Sequence, residues 1–217
     1  MLTAMFRLGL LAVALAAFVL PPQSGIAIPR GPAEYSVRLD TSKGAIVIAV
    51  HRKWAPYGAD RFHELVTSGY YDGARFFRIR KATWVQFGIA GDPQVAQAWR
   101  TRSIPDDPYT GIPNKRGTVA FAFKDPNGRT TQVFINLKDN SETHDKEPFV
   151  VIGEVTEGMD VADALYAEYG EAAGGGIRAG KQDILFERGN AYLTERFPLL
   201  DHIKSARVSR PSVRRAP

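Results

Sequence analysis

YYDGARFFRIRKATWVQFG, residues 70–88, holds two apolar runs, 76–79 and 83–87, joined by the basic link Arg80-Lys81. The runs predict two neighbouring strands. Alternation along the first puts Phe77 and Ile79 on one face, and Phe76 and Arg78 on the other. An arginine inside an apolar run is costly unless a partner or a ligand holds it. Two explanations stand at this point. Arg78 pairs with an acid such as Asp72 or Asp92 to hold the fold together, or it serves a function.

Upstream, residues 35–39 (YSVRL) alternate as a half-buried strand, and DTSKG at 40–44 is turn chemistry. AIVIAV at 45–50 is a continuous β-branched run, buried on both faces or forming a barrel wall. Trp54-Ala55-Pro56 opens a helix, with Pro56 in the first turn. Ala59, Phe62, Leu65 and Val66 give it an apolar side, and Gly69 ends it.

Downstream, residues 89–113 read as loop. Strands are predicted at 117–123, 131–137 and 149–155, the first two joined by a turn around Asn127-Gly128. A second helix is predicted over 158–169, a closing strand at 184–186, and a third helix over 190–203. The sum is a mainly β protein of roughly eight strands without βαβ alternation. An eight-stranded antiparallel closed β-barrel fits best, capped by two α-helices and followed by an extra C-terminal helix.

The chain has 217 residues, a net charge of +5 and no cysteine, enough for one domain with a sizeable core. Its start is set apart. Arg7 precedes a 13-residue apolar run at 8–20, Pro21-Pro22 ends the run, and small residues follow to Ala27. That is a signal-peptide layout, too short to span a bilayer comfortably. It implies export, most simply to a bacterial periplasm, with no stable membrane insertion after cleavage. The domain plan is a leader at 1–27, the barrel at 33–188, a helical extension at 189–206 and a basic tail at 207–217. Arg207, Arg210, Arg214 and Arg215 among Ser and Pro make that tail a solvated end rather than a nucleic-acid arm.

GGIRAGK at 175–181 matches a phosphate loop up to the lysine. Gln182 then stands where Ser or Thr is needed, and a helix precedes it, so it reads as a flexible connector. The four histidines, His51, His63, His144 and His202, have no ligand spacing, so no metal site is expected. No G-x-S-x-G occurs to support a serine hydrolase.

Taken together, FFRI at 76–79, QFG at 86–88, residues 117–122, TQVFIN at 131–136, VIGEV at 151–155 and Gly158-Met159 resemble the cyclophilin-type peptidyl-prolyl cis-trans isomerases. The resemblance runs from about Tyr35 to Phe186. It implies an eight-stranded barrel with two helices, no cofactor, and rotation about X–Pro bonds of peptides and folding proteins. A monomer is expected. Carried over by position, Arg78 falls on the catalytic arginine and Gln86 on the glutamine that positions it. Phe134 falls on the floor of the proline pocket, and Gln132 and Ala122 on the groove lining.

The rim departs from the family. Phe77 replaces a histidine, and Lys81-Ala82-Thr83-Trp84 stands where Pro-Gly-Phe-Met is usual. Phe123 replaces an asparagine, Thr143-His144 an aromatic and a leucine, and Phe149 a pocket histidine. The substrate-contacting set is therefore Gln86, Phe134, Gln132, Trp84, Ala122, Phe123, Phe77, Phe149 and His144 beside catalytic Arg78. Retained but reduced or altered activity and weak cyclosporin binding are expected. The alternative is a catalytically weak module that binds proline-containing or unfolded chains.

Overall fold

The computed structural model describes residues 28–174 and 182–209. The leader at 1–27, the connector at 175–181 and the tail from 210 lie outside the described residues. Eight strands form one antiparallel sheet: β1 (Glu34–Thr41), β2 (Gly44–His51), β3 (Arg78–Arg80), β4 (Trp84–Phe87), β5 (Thr118–Phe121), β6 (Val133–Asn136), β7 (Val151–Glu157) and β8 (Ile203–Ser209). Their order is β3-β4-β6-β5-β7-β2-β1-β8.

The mainly β, eight-stranded architecture is as expected, but closure of the barrel is only approximate. The edge strands β3 and β8 share no ladder among the described residues. Instead the approaches to them meet at an Arg75–His202 bridge. Phe76 N donates to Asp201 O at 3.0 Å, and Ile203 N to Ala74 O at 2.8 Å.

The run at 45–50 is a barrel wall rather than a strand buried on both faces. Ile46, Ile48 and Val50 are fully buried and alternate with half-buried Ala45, Val47 and Ala49. Each buried branched side chain is worth about 1.5–3 kcal/mol, and a one-residue slip would turn all three outward. The β1–β2 register is thereby fixed from Glu34↔His51 to Thr41↔Gly44.

Helix α1 (Pro56–Thr67) starts at Pro56 and buries Phe62, Leu65 and Val66. Its first free amides, Tyr57 N and Gly58 N, both donate to Asp107 at 2.8 Å. Asp107 thus caps the helix from 50 residues away. Burial pushes its carboxyl above the usual range, and the two amides pull it back.

Other expectations are corrected. Residues 184–186 are not a closing strand; they lie in α5 (Asp183–Arg196). The helix expected over 190–203 stops at Arg196, because Pro198 cannot continue it. The closing strand is β8, paired with β1 from Ser36↔Ser209 to Thr41↔Ile203. The sheet therefore runs past residue 188. Residues 189–206 are not a separate helical extension, and Arg207 belongs to a strand rather than to a tail.

Residues 93–100, read as loop, form α2 (Pro93–Arg100), with Asp92 accepting from Gln94 N at 2.8 Å. Helix α3 (Ser141–His144) follows β6, and α4 (Met159–Asp163) is shorter than the expected 158–169. Among the described residues no helix is long and apolar enough to cross a membrane.

Candidate active site

The pairing of β3, β4, β6 and β5 sets four residues in a row. Arg78 lies opposite Gln86, Gln86 opposite Phe134, and Phe134 opposite Ala120. Directly opposed residues share a face. The row is on the outer face, since Ile79, Val85 and Phe87, which alternate with it, are buried in the core.

Phe76 does not share that face. Its ring packs on Phe87 at 5.4 Å inside the barrel, so the alternation breaks at Phe77. Phe77 was expected to contact substrate, and the structure corrects this. It is 1% exposed, and a Cβ placed on Gly174 would sit 3.1 Å from its ring. Phe77 lies in the hydrophobic core, against Gly174.

Arg78 is held on three sides. Its Nη1 donates to Gln86 Oε1 at 3.1 Å and its Nη2 to Glu171 Oε1 at 2.7 Å. The guanidinium lies 4.7 Å from the centre of the Trp84 ring. The acid partner is therefore Glu171, neither Asp72 nor Asp92. Asp72 instead binds Ala206 N and Arg207, and Asp92 caps α2. A chain of amides continues along the groove. Gln86 Nε2 donates to Gln132 Oε1 at 2.7 Å, and Gln132 Nε2 to Gln182 Oε1 at 2.9 Å. Ala122 N donates to Gln132 O at 2.9 Å, so Ala122 flanks the same stretch.

Next to the amides is a cluster of aromatic rings. Phe134 meets Phe149 edge-on at 5.3 Å and His144 at 5.3 Å, and His144 and Phe149 lie 5.0 Å apart. Phe123 extends the cluster to Phe149 at 4.7 Å. Arg129 sits 4.8 Å from the Phe123 ring, with its guanidinium tied to Asp106 and to Pro148 O. Burial lowers the Arg129 pKa to about 10, which leaves it charged at neutral pH. Burial also pushes the His144 imidazole below its usual value, against the pull of Glu147 and Asp145. Burial thus favours the uncharged form of the His144 imidazole.

Of the sequence-derived set, Arg78, Gln86, Gln132, Trp84 and Ala122 meet at one end of the groove. Phe134, Phe149, His144 and Phe123 form the pocket beside them. Phe77 does not join either group.

Sequence reasoning missed the scaffold behind the pocket. Asn136 is fully buried; its Nδ2 donates to Asn114 Oδ1 at 3.1 Å and Thr118 Oγ1 at 2.9 Å. Its Oδ1 accepts from Asn140 Nδ2 at 2.7 Å. Asn114 Nδ2 in turn donates to Phe149 O and Asp145 Oδ1, both at 2.8 Å. These asparagines tie the segment bearing His144 and Phe149 to the barrel. The available signal was an asparagine ending the strand VFIN, since asparagine is depleted in strands. Glu171 and Gln182 gave no comparable signal.

The arrangement presents a fixed cation and aligned amides beside an aromatic cluster. It can bind an apolar ring while directing N–H donors at the adjoining amide. Among the described residues no group of three or more His, Asp or Glu is placed to hold a metal.

Comparison with known proteins bears on this geometry. The family described as cyclophilin type peptidyl-prolyl cis-trans isomerase/CLD matches residues 36–176. Peptidyl-prolyl cis-trans isomerase cyp18 of Streptomyces antibioticus is 37% identical over 137 residues, covering 60% of this chain and 82% of its own. Peptidyl-prolyl cis-trans isomerase B of Escherichia coli is 29% identical over 158 residues, covering 70% and 96%. A solved cyclophilin type isomerase of Cryptosporidium parvum superposes with a TM-score of 0.57 at 19% identity, covering 81% of this chain and 98% of that one. A structure of that protein in the presence of the dipeptide Ala-Pro gives a TM-score of 0.55. At that identity the structural likeness speaks for the fold.

Proposed function

The chain belongs to the cyclophilin-type peptidyl-prolyl cis-trans isomerases, and we propose that the Arg78 groove and the Phe134 pocket are its isomerase centre. The observation that carries this is the row Arg78–Gln86–Phe134, which sets a held guanidinium two strands from a pocket floor. Two strand spacings are about 10 Å between backbones, a gap that the long Arg78 side chain shortens.

Rotation about a peptide bond meets a barrier of about 18–20 kcal/mol, set by amide resonance. The two X–Pro isomers differ by only about 0.5–1 kcal/mol, so the task is kinetic. No bond is made or broken, and no acid, base or nucleophile is required. The site must bind the twisted amide better than either planar form.

In the twisted state the prolyl nitrogen becomes pyramidal and exposes a lone pair. An N–H of Arg78 aimed at that nitrogen is rewarded only there. Phe134, Phe149 and His144 grip the ring while the preceding residue turns. Gln86 holds Arg78, and with Gln132 it can bond the substrate backbone. The apolar wall excludes water and strengthens the field of the arginine.

The substrates are proline-containing peptides and unfolded chains, and the working form is a monomer. The leader at 1–27 supports export, which places the protein in a periplasm or outside the cell. N-terminal sequencing of the full chain recovered from the periplasm of an expression host tests this. A mature start near residue 28 agrees; an intact Met1 retained inside the cell contradicts it.

Exchange spectroscopy on an Ala-Pro peptide tests the activity. Catalytic amounts of protein should speed cis–trans exchange. Peptide binding without faster exchange would instead identify the weak binding module.

A further inference from the structure

Glu171 is the one acid whose side chain bonds Arg78, from 93 residues away, among the described residues. It is not there by chance contact, because the segment around it is docked along the outer edge of β3 at several points. Lys81 Nζ pairs with Glu168 at 2.8 Å, and Ile79 N donates to Gly170 O at 2.9 Å. Ala173 is 2% exposed. A Cβ on Gly174 would lie 3.0 Å from Arg78 Cβ and 3.2 Å from Arg78 Cδ. Glycine at 174 therefore lets the backbone lie against the stem of the arginine.

The contacts divide the guanidinium. Gln86 holds one η nitrogen, Glu171 the other, and the Trp84 ring supports the plane. Arg78 Nε is buried without a partner. Each η nitrogen carries two N–H groups, so one on each remains for substrate after these bonds. Arg78 and Glu171 are only 13% and 27% exposed at the side chain, so water screens the pair weakly. A charge-assisted bond there fixes direction as well as charge.

We propose that Glu171 is a positioning residue for the isomerisation: it clamps the Arg78 guanidinium so that its free N–H groups face the prolyl nitrogen. This rests on the reading of the Arg78 groove as the isomerase centre. The carboxylate is not a substrate ligand and takes no proton in the reaction. Its effect falls on the twisted state, because only there does the aim of the arginine matter.

The test compares wild type, Glu171→Ala, Glu171→Gln and Gly174→Ala. Exchange kinetics on an Ala-Pro peptide are read alongside 15N spectra of the arginine guanidinium groups. Glu171→Ala should lower kcat about tenfold while moving KM less than about twofold, the split expected when a transition-state contact loses its aim. The slow rotation that keeps the Arg78 η protons distinct in wild type should become fast. Glu171→Gln keeps an acceptor oxygen and should restore most of kcat. Gly174→Ala leaves the carboxylate in place but crowds the arginine stem, and should lower kcat with folding retained.

Unchanged kcat and unchanged Arg78 spectra in Glu171→Ala would overturn the proposal. A rise in kcat would also overturn it, since the carboxylate would then be competing with substrate. A wild-type chain without exchange activity would sink the groove reading instead. The guanidinium spectra would still report whether Glu171 clamps Arg78.

Discussion

Replacing Asn136 with alanine tests whether the pocket wall is held by a buried polar network. Asn136 makes three side-chain hydrogen bonds, to Asn114, Thr118 and Asn140, with none of its surface exposed. Each such bond is worth about 1 kcal/mol net, and stranding a buried polar partner costs about 1–3 kcal/mol more. Asn140 Nδ2 keeps its bond to Thr83 O at 2.9 Å, whereas Asn114, 0% exposed, loses the partner of its Oδ1 and recovers none from water. With one partner stranded the expected loss is about 4–6 kcal/mol, a large share of the stability of an ordinary domain. At about 2–4 °C per kcal/mol for a domain of this size, Tm should fall by about 8–24 °C.

The kinetic signature follows from the same contacts. Asn114 loses its anchor on β6 but still bonds Phe149 O and Asp145, so the wall bearing Phe149 and His144 loosens. Arg78 has no bond in this network. KM for an Ala-Pro peptide should rise severalfold below the melting range, with kcat changed much less. Thermal unfolding followed by circular dichroism, together with exchange kinetics at 15 °C, reads both effects. A Tm within about 2 °C of wild type, or a fall in kcat with KM unmoved, would refute the reasoning.

Two further outcomes are expected. The folded-state pKa of His144 is depressed by burial, so His144 contributes stability that is fully present above its unfolded value of about 6.5 and lost as pH falls from there through the folded pKa. Denaturant titrations from pH 7.5 to pH 5 should show a steeper loss for wild type than for His144→Phe; equal slopes would contradict this. Ending the chain after Leu200 removes β8 and with it fully buried Ile203 and Ala206, leaving β1 unpaired on one side. That chain should lack a cooperative thermal transition; a transition near the wild-type Tm would show β8 to be dispensable.

Most of the sheet was legible because its strands follow the two-residue period of a barrel wall, as Ile46, Ile48 and Val50 do. The end of the chain was not. Leu193, Phe197, Leu200 and Ile203 are spaced as a helix face, but Pro198 falls among them and the chain turns into a strand. β8 is an edge strand carrying Lys204, Ser205, Arg207 and Ser209, whose start reads as helix and whose end reads as tail until its partner β1 is seen. Helix α2 did carry a signal, Asp92 as cap followed by Pro93 in the first turn.

At the site, Arg78 was conspicuous because a charge in an apolar run demands a partner. Gln86 became its neighbour through the strand pair. Glu171 was invisible because nothing local links it to Arg78. Phe76 was misplaced because alternation was extended beyond the true start of β3 at Arg78, whereas Phe77 lies in the core with Ile79 as alternation predicts and only the resemblance put it at the substrate.

The central claim is that the Arg78 guanidinium acts on the prolyl nitrogen. The most direct measurement is cis–trans exchange of an Ala-Pro peptide with wild type, Arg78→Lys and Arg78→Ala at equal, catalytic concentrations. Lysine keeps the charge but lacks the planar fork and its two-point hold by Gln86 and Glu171. Both variants should lose most of kcat/KM while still binding the peptide in the Phe134 pocket; near-wild-type exchange by Arg78→Ala would contradict the claim.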